Sequence, residues 1–166
     1  MYNQGVDVVA IRRALDDVFD DAIVYHAFTD YMRDYEMIVY VGAEPRSAIP
    51  PTHLRYLFRH CVEVDVRTAV TSETWKRSLS DQLVDYETGK DLDGYVWGVR
   101  WQPLYPGAVV VDDSPRARAW SNALGINFHE VHIDSNGHNL KLVFSDLTVT
   151  EVPAGYTPFR IDETTL

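Results

Sequence analysis

Apolar and polar positions alternate most clearly towards the C-terminal end of the chain. His129, Val131, Ile133 and Ser135 fall on one side of an alternating run, with Glu130, His132 and Asp134 on the other. A second run places His138, Leu140, Leu142 and Phe144 together, opposite Asn139, Lys141 and Val143. Between them lies Asn136-Gly137, a dipeptide suited to a type I′ turn because both central residues need positive φ. The pattern predicts a β-hairpin in which Ile133 faces Leu140, Val131 faces Leu142 and His129 faces Phe144 on a mostly apolar side. Its second strand runs on through Leu147 and Val149, giving the rest of a sheet an edge to build on.

Other segments carry weaker periods. Val8, Ile11, Leu15, Val18 and Phe19 recur at helical spacing, with Asp7 or Asn3 able to cap the start. Ala22–Thr29 and Tyr35–Val41 read as an antiparallel pair of strands. Residues 52–61 fit a short helix with Leu54, Leu57, Phe58 and Cys61 on one side, or a strand alternating Leu54, Tyr56 and Phe58; periodicity leaves both open. Val62, Val64 and Val66 alternate as a strand, and Thr71 or Ser72 opens a helix carrying Trp75, Leu79 and Leu83. A polar loop over 86–94 leads into a strand with Tyr95, Trp97, Val99 and Trp101 on one face. After the strand candidate Ala108–Val111, Ser114-Pro115 starts a helix that Gly125 closes. Strict βαβ alternation is missing, and an Asn-Gly hairpin cannot join parallel strands. The expected architecture is α+β: a single domain over 1–152, with one mainly antiparallel, twisted sheet, three to four helices and the C-terminal hairpin. An extended tail over 153–166 follows.

Charge narrows the partners. Among 166 residues, 25 are acidic and 15 basic, a net −10 that repels phosphates and anionic membranes. Neither nucleic acid nor membrane is expected as a partner, whereas a basic protein is compatible. No apolar run approaches the roughly 18 residues of a membrane span. Met1–Gly5 lacks the basic and apolar regions of an export signal, and the single cysteine rules out an internal disulfide. The expected location is the cytoplasm. Cys61 lies among Phe58, Val62 and Val64, where a thiol packs as a small hydrophobe. No glycine-rich phosphate loop, Gly-x-Ser-x-Gly elbow or Cys-x-x-Cys pair occurs, and no cofactor is expected.

Three residue sets are candidates for chemistry. Glu130, His132 and Asp134 project together from one strand, and a carboxylate–imidazole–carboxylate row can ligate a divalent metal. The plainer reading is the wet face of an antiparallel sheet, with Lys141 pairing a carboxylate. Tyr95, Trp97 and Trp101, with Arg100 and Tyr105 nearby, have the composition of a binding stripe, although a central core strand looks the same. Asp30, Arg33 and Asp34 offer an acid–base set or, more simply, an ion pair fixing a turn. The run Asp16, Asp17, Asp20, Asp21 reads as a solvated face entering a turn.

Phe28–Tyr35 (Phe-Thr-Asp-Tyr-Met-Arg-Asp-Tyr), Asp91–Trp101 (Asp-Leu-Asp-Gly-Tyr-Val-Trp-Gly-Val-Arg-Trp) and His138–Leu147 (His-Asn-Leu-Lys-Leu-Val-Phe-Ser-Asp-Leu) resemble the small bacterial YxiG-like domains. The resemblance implies no catalytic residues, and it leans towards an interaction role because some members are suspected near toxin–immunity loci. The expected function is a non-catalytic, immunity-like protein-binding module with an acidic, aromatic-containing surface. The alternatives are a metal-dependent hydrolase on Glu130, His132 and Asp134, or a small-ligand binder on the Tyr95, Trp97 and Trp101 face.

Overall fold

In the computed structural model, which describes residues 7–29, 32–42, 50–79 and 102–159, the alternating segments form two antiparallel sheets. In chain order the elements are α1 (Val8–Asp16), β1 (Ala22–Phe28), β2 (Tyr35–Val41), β3 (Thr52–Arg59), β4 (Glu63–Thr68), α2 (Ser72–Ser78), β5 (Gln102–Pro103), β6 (Gly107–Val110), α3 (Pro115–Leu124), β7 (His129–Asp134), β8 (His138–Phe144) and β9 (Asp146–Val152). The strand orders are β5-β1-β2-β3-β9 and β4-β8-β7-β6. The single twisted sheet expected from the sequence is therefore corrected to two. Residues 52–59 form a strand. The expected three to four helices are corrected as well: among the described residues, α1 and α3 are the helices seen to bury side chains against the sheets. The residues around Asn136-Gly137 join β7 to β8, which pair as Ile133↔Leu140, Val131↔Leu142 and His129↔Phe144.

The two sheets are joined where paired strands turn a corner together. β3 passes into β4 through His60–Val62, and β8 passes into β9 through Ser145. Arg59 pairs with Asp146 on one side of the corner and Glu63 with Val143 on the other. Three residues thus face two, and one extra residue on a strand bends an antiparallel ladder. His60 takes up the bend at φ 48°. Its backbone N–H donates to Asp34 Oδ1 at 2.9 Å, and its ring Nδ1 lies 2.7 Å from Ser145 Oγ. Ser145 N–H closes onto the Arg59 carbonyl at 3.0 Å. Asp34 and Ser145 are both buried, so the corner's backbone donors find partners without water.

Inside the bend, Phe58 and Phe144 meet edge to face at 4.9 Å, both fully buried. The same core takes Met37, Val39 and Tyr56 from one sheet and Val131, Ile133, Leu140 and Leu142 from the other. α1 adds Ile11 and Leu15 from one face, and its Ala14 carbonyl accepts the Tyr56 hydroxyl. Asp7 caps its start by accepting from Val9 N–H. α3 lies on the far side of the four-stranded sheet, where Ala117 and Phe128 pack with Val143. Ser114 caps it, Pro115 opens it and Gly125 ends it at φ 71°.

Truncating Phe144→Ala removes the ring that fills the bend and is expected to cost about 3–5 kcal/mol. Asp34→Ala leaves the His60 N–H without its acceptor and is expected to cost about 1–3 kcal/mol. Urea unfolding midpoints check both, and an Asp34→Ala variant as stable as wild type would contradict the role given to the corner.

Candidate binding surface

The turn after α1 builds an exposed patch. Asp20 sits at φ 66°, and its N–H donates to the Leu104 carbonyl, while Leu104 N–H donates to the Asp21 carbonyl at 2.9 Å. That reciprocal pairing fixes the turn beside the segment leading into β6. Leu104 is fully buried and anchors it, leaving its neighbour Tyr105 58% exposed. Phe19 is 50% exposed and lies 6.1 Å from the Tyr105 ring. Gly107 makes room for it: at φ 120° a side chain is strained, and a Cβ there would stand 3.2 Å from the Phe19 ring. Val109, on the outermost strand of its sheet among the described residues, is 65% exposed.

Carboxylates flank Phe19 along the chain. Asp16, Asp17 and Asp20 are exposed. Asp16 lines a shallow cavity of about 240 Å³ with Val109, Arg12 and Asp112, and Arg12 is ion-paired to Asp112. Partial burial raises the Asp21 carboxyl above its usual range, opposed by a backbone hydrogen bond from Gly42 and reinforced by the charge of Asp20. Phe19, Tyr105 and Val109 thus stay exposed on the same side of the fold as the carboxylate of Asp16.

The residues singled out from sequence meet different fates. Tyr105 belongs to this patch, whereas Tyr95, Trp97, Arg100 and Trp101 lie outside the described residues. Glu130, His132 and Asp134 do not form a metal site. Among the described residues no group of three or more His, Cys, Asp or Glu side chains is arranged to hold an ion. The physical reason is that Glu130 is buried and engaged: the Ser114 hydroxyl donates to one carboxylate oxygen, and His132 Nε2 lies 2.9 Å from the other. Burial alone would raise the Glu130 carboxyl; those hydrogen bonds and the charges of His132 and Arg116 hold it below its usual range. Arg116 meanwhile forms a two-pronged pair with Glu63 at 3.1 Å. The set ties α3 to the sheet. Arg33 Nε stands 3.7 Å from Asp34, whose buried oxygen holds the corner, while Asp30 is outside the described residues. Burial pushes the Cys61 thiol up to about 12, which makes it a poor nucleophile.

Two polar clusters escape the sequence reading. A register shift between Ile23 and Tyr25 turns His26 rather than Tyr25 towards Met37. His26 Nδ1 then meets the Tyr35 hydroxyl at 2.7 Å, and its Nε2 meets His138 Nδ1 at 2.9 Å, so one imidazole bridges the two sheets. Burial, helped by the neighbouring His138, lowers His26 to about 4; burial lowers His138 as well. The second cluster joins Glu36, Arg55 and Tyr156 on the outer face of the five-stranded sheet. Neither has a spacing signal, because each combines distant strands.

The fold and surface define a small two-sheet α+β domain, and no described helix is long and apolar enough to cross a membrane. The profile of the YxiG-like proteins matches residues 7–162, and the chain belongs to that family. No curated protein matches it.

The bridging histidine has a pH signature. Folding holds His26 neutral down to about pH 4, whereas the unfolded chain protonates it near 6.5. Its stabilisation is complete above pH 6.5 and is lost as pH falls towards 4, by roughly 3 kcal/mol at most. Urea midpoints measured across that window for wild type and His26→Gln check this. The variant should show the shallower acid loss, and equal slopes would contradict it.

Proposed function

We propose that the chain is a non-catalytic protein-binding module of the immunity type, which masks a basic protein partner. The observation that carries this reading is the exposed Phe19–Tyr105 pair with Val109, set among Asp16, Asp17 and Asp20. Aromatic rings supply the anchoring area, and the net charge of −10 accelerates encounter with a cationic surface while discouraging acidic competitors. The buried polar groups support the same reading from the other side. Ser114 is buried, donates to Glu130 and accepts from the Ala117 N–H, so its hydroxyl is committed to capping α3 and fixing that carboxylate.

The test immobilises three forms: wild type, Phe19→Ala/Tyr105→Ala, and Asp16→Asn/Asp17→Asn/Asp20→Asn. Each is exposed to cell lysate at about 50 mM and about 500 mM salt. A basic protein should be held by wild type at low salt, released on the double alanine variant by a factor of at least about ten, and weakened by high salt and by the asparagine variant. Retention that is equal on all three forms, or retention of no basic protein, would overturn the proposal.

A further inference from the structure

The outer face of the five-stranded sheet carries a carboxylate with an unmet need. Glu36 lies within β2 and is 0% exposed. One of its oxygens, Oε2, accepts from Arg55 Nε at 2.6 Å and from the Tyr156 hydroxyl at 2.9 Å. The other, Oε1, is buried and has no hydrogen-bond donor among the described residues. Buried carboxylate oxygens are rarely left this way, because the water they give up is normally replaced by a donor. Among the described residues Arg55 is the cation paired with Glu36, and it also lies 5.9 Å from the Tyr156 ring centre.

A groove of about 290 Å³ lies alongside, between the β1–β2 pair and the segment that follows β9. Its walls include Val24, Ile38, Val152, Pro153 and Pro158. Two links tie the groove to the carboxylate. Ile38 is two residues along β2 from Glu36 and therefore on the same face of the strand. Tyr156 is at once a wall of the groove and a hydrogen-bond donor to Glu36. Apolar walls beside a buried, half-satisfied carboxylate complement a compact hydrophobic body that ends in a donor. A protonated amine fits best, because a charge-assisted hydrogen bond to a carboxylate is about twice as strong as a neutral one.

We propose that this groove binds a small apolar molecule bearing a primary amine, whose ammonium donates to Glu36 Oε1 while its body lies against Ile38 and Val24. The site is separate from the acidic patch around Phe19 and does not rest on the protein-binding reading. Glu36 is not itself a wall of the groove; Tyr156 is the residue common to both, so on this proposal the ammonium reaches Oε1 as the Tyr156 ring swings aside, and that ring reports entry.

Two probes of matched size separate the head group from the groove: benzylamine, and benzyl methyl ether, which cannot donate. Nitrogen–proton correlation spectra of the isotope-labelled full chain follow the backbone signals of Ala27, Ile38 and Tyr156. Benzylamine should shift them saturably with a Kd of the order of 1 mM, as a ligand of so few atoms allows. The ether should bind at least about tenfold more weakly. In Glu36→Gln the preference for the amine should collapse to within about twofold. Ile38→Trp, which fills the groove and leaves Glu36 in place, should abolish binding of both probes and stands as the deciding variant if Glu36→Gln fails to fold. The proposal is overturned if benzylamine causes no saturable shift, if the ether binds as well as the amine to wild type, or if the amine still binds Ile38→Trp or keeps its preference in Glu36→Gln.

Discussion

The bend at His60–Val62 and Ser145 places every other layer of this molecule. One residue more on the β3–β4 side than on the β8–β9 side turns a single antiparallel ladder from one sheet into the next. A buried backbone at such a corner is stable only when its donors and acceptors are met; Asp34 and Ser145 meet them, and the His60 ring holds the Ser145 hydroxyl. Because the ladder folds on itself, the apolar faces of both sheets close on Phe58 and Phe144. α1 then covers the core beside β6 with Ile11 and Leu15. The corner costs a positive φ at a non-glycine residue, and the ring-to-ring contact inside it offsets that strain.

The acidic patch is a consequence of the same closure. With α1 held against the core by Ile11, Leu15 and Tyr56, its C-terminal turn must pass over the segment that enters β6, and the reciprocal Asp20–Leu104–Asp21 backbone bonds lock the two together. Phe19 and Tyr105 are thereby pushed outwards as neighbours. Their exposure is maintained by the fold: Leu104 occupies the buried position, and Gly107 leaves room for the Phe19 ring.

Some of this was legible in the sequence. The pairing of β7 with β8 could be read because period-2 alternation and a turn dipeptide fix register together, and the caps of α1 and α3 have local chemistry of their own. The division into two sheets could not, since alternation shows that a strand has two faces but not which sheet it joins. The corner differs from straight strand by one residue, and neither His60 nor Ser145 advertises it. Asp34 drew attention as a candidate acid when its work is to accept a backbone N–H. Asp16–Asp21 and Tyr105 each stood out separately, and only the topology makes them one surface. Nothing in the sequence marks Glu36, because the Tyr156 that reaches it comes from far along the chain.

Hydrogen–deuterium exchange on the complex with the basic protein retained at low salt tests the central claim most directly, since it maps the surface without altering it. The account predicts protection confined to residues 16–21 and 104–110, with the strands around Glu36 exchanging as in the free chain. Protection centred elsewhere, with the Phe19 and Tyr105 segments unchanged, would contradict it.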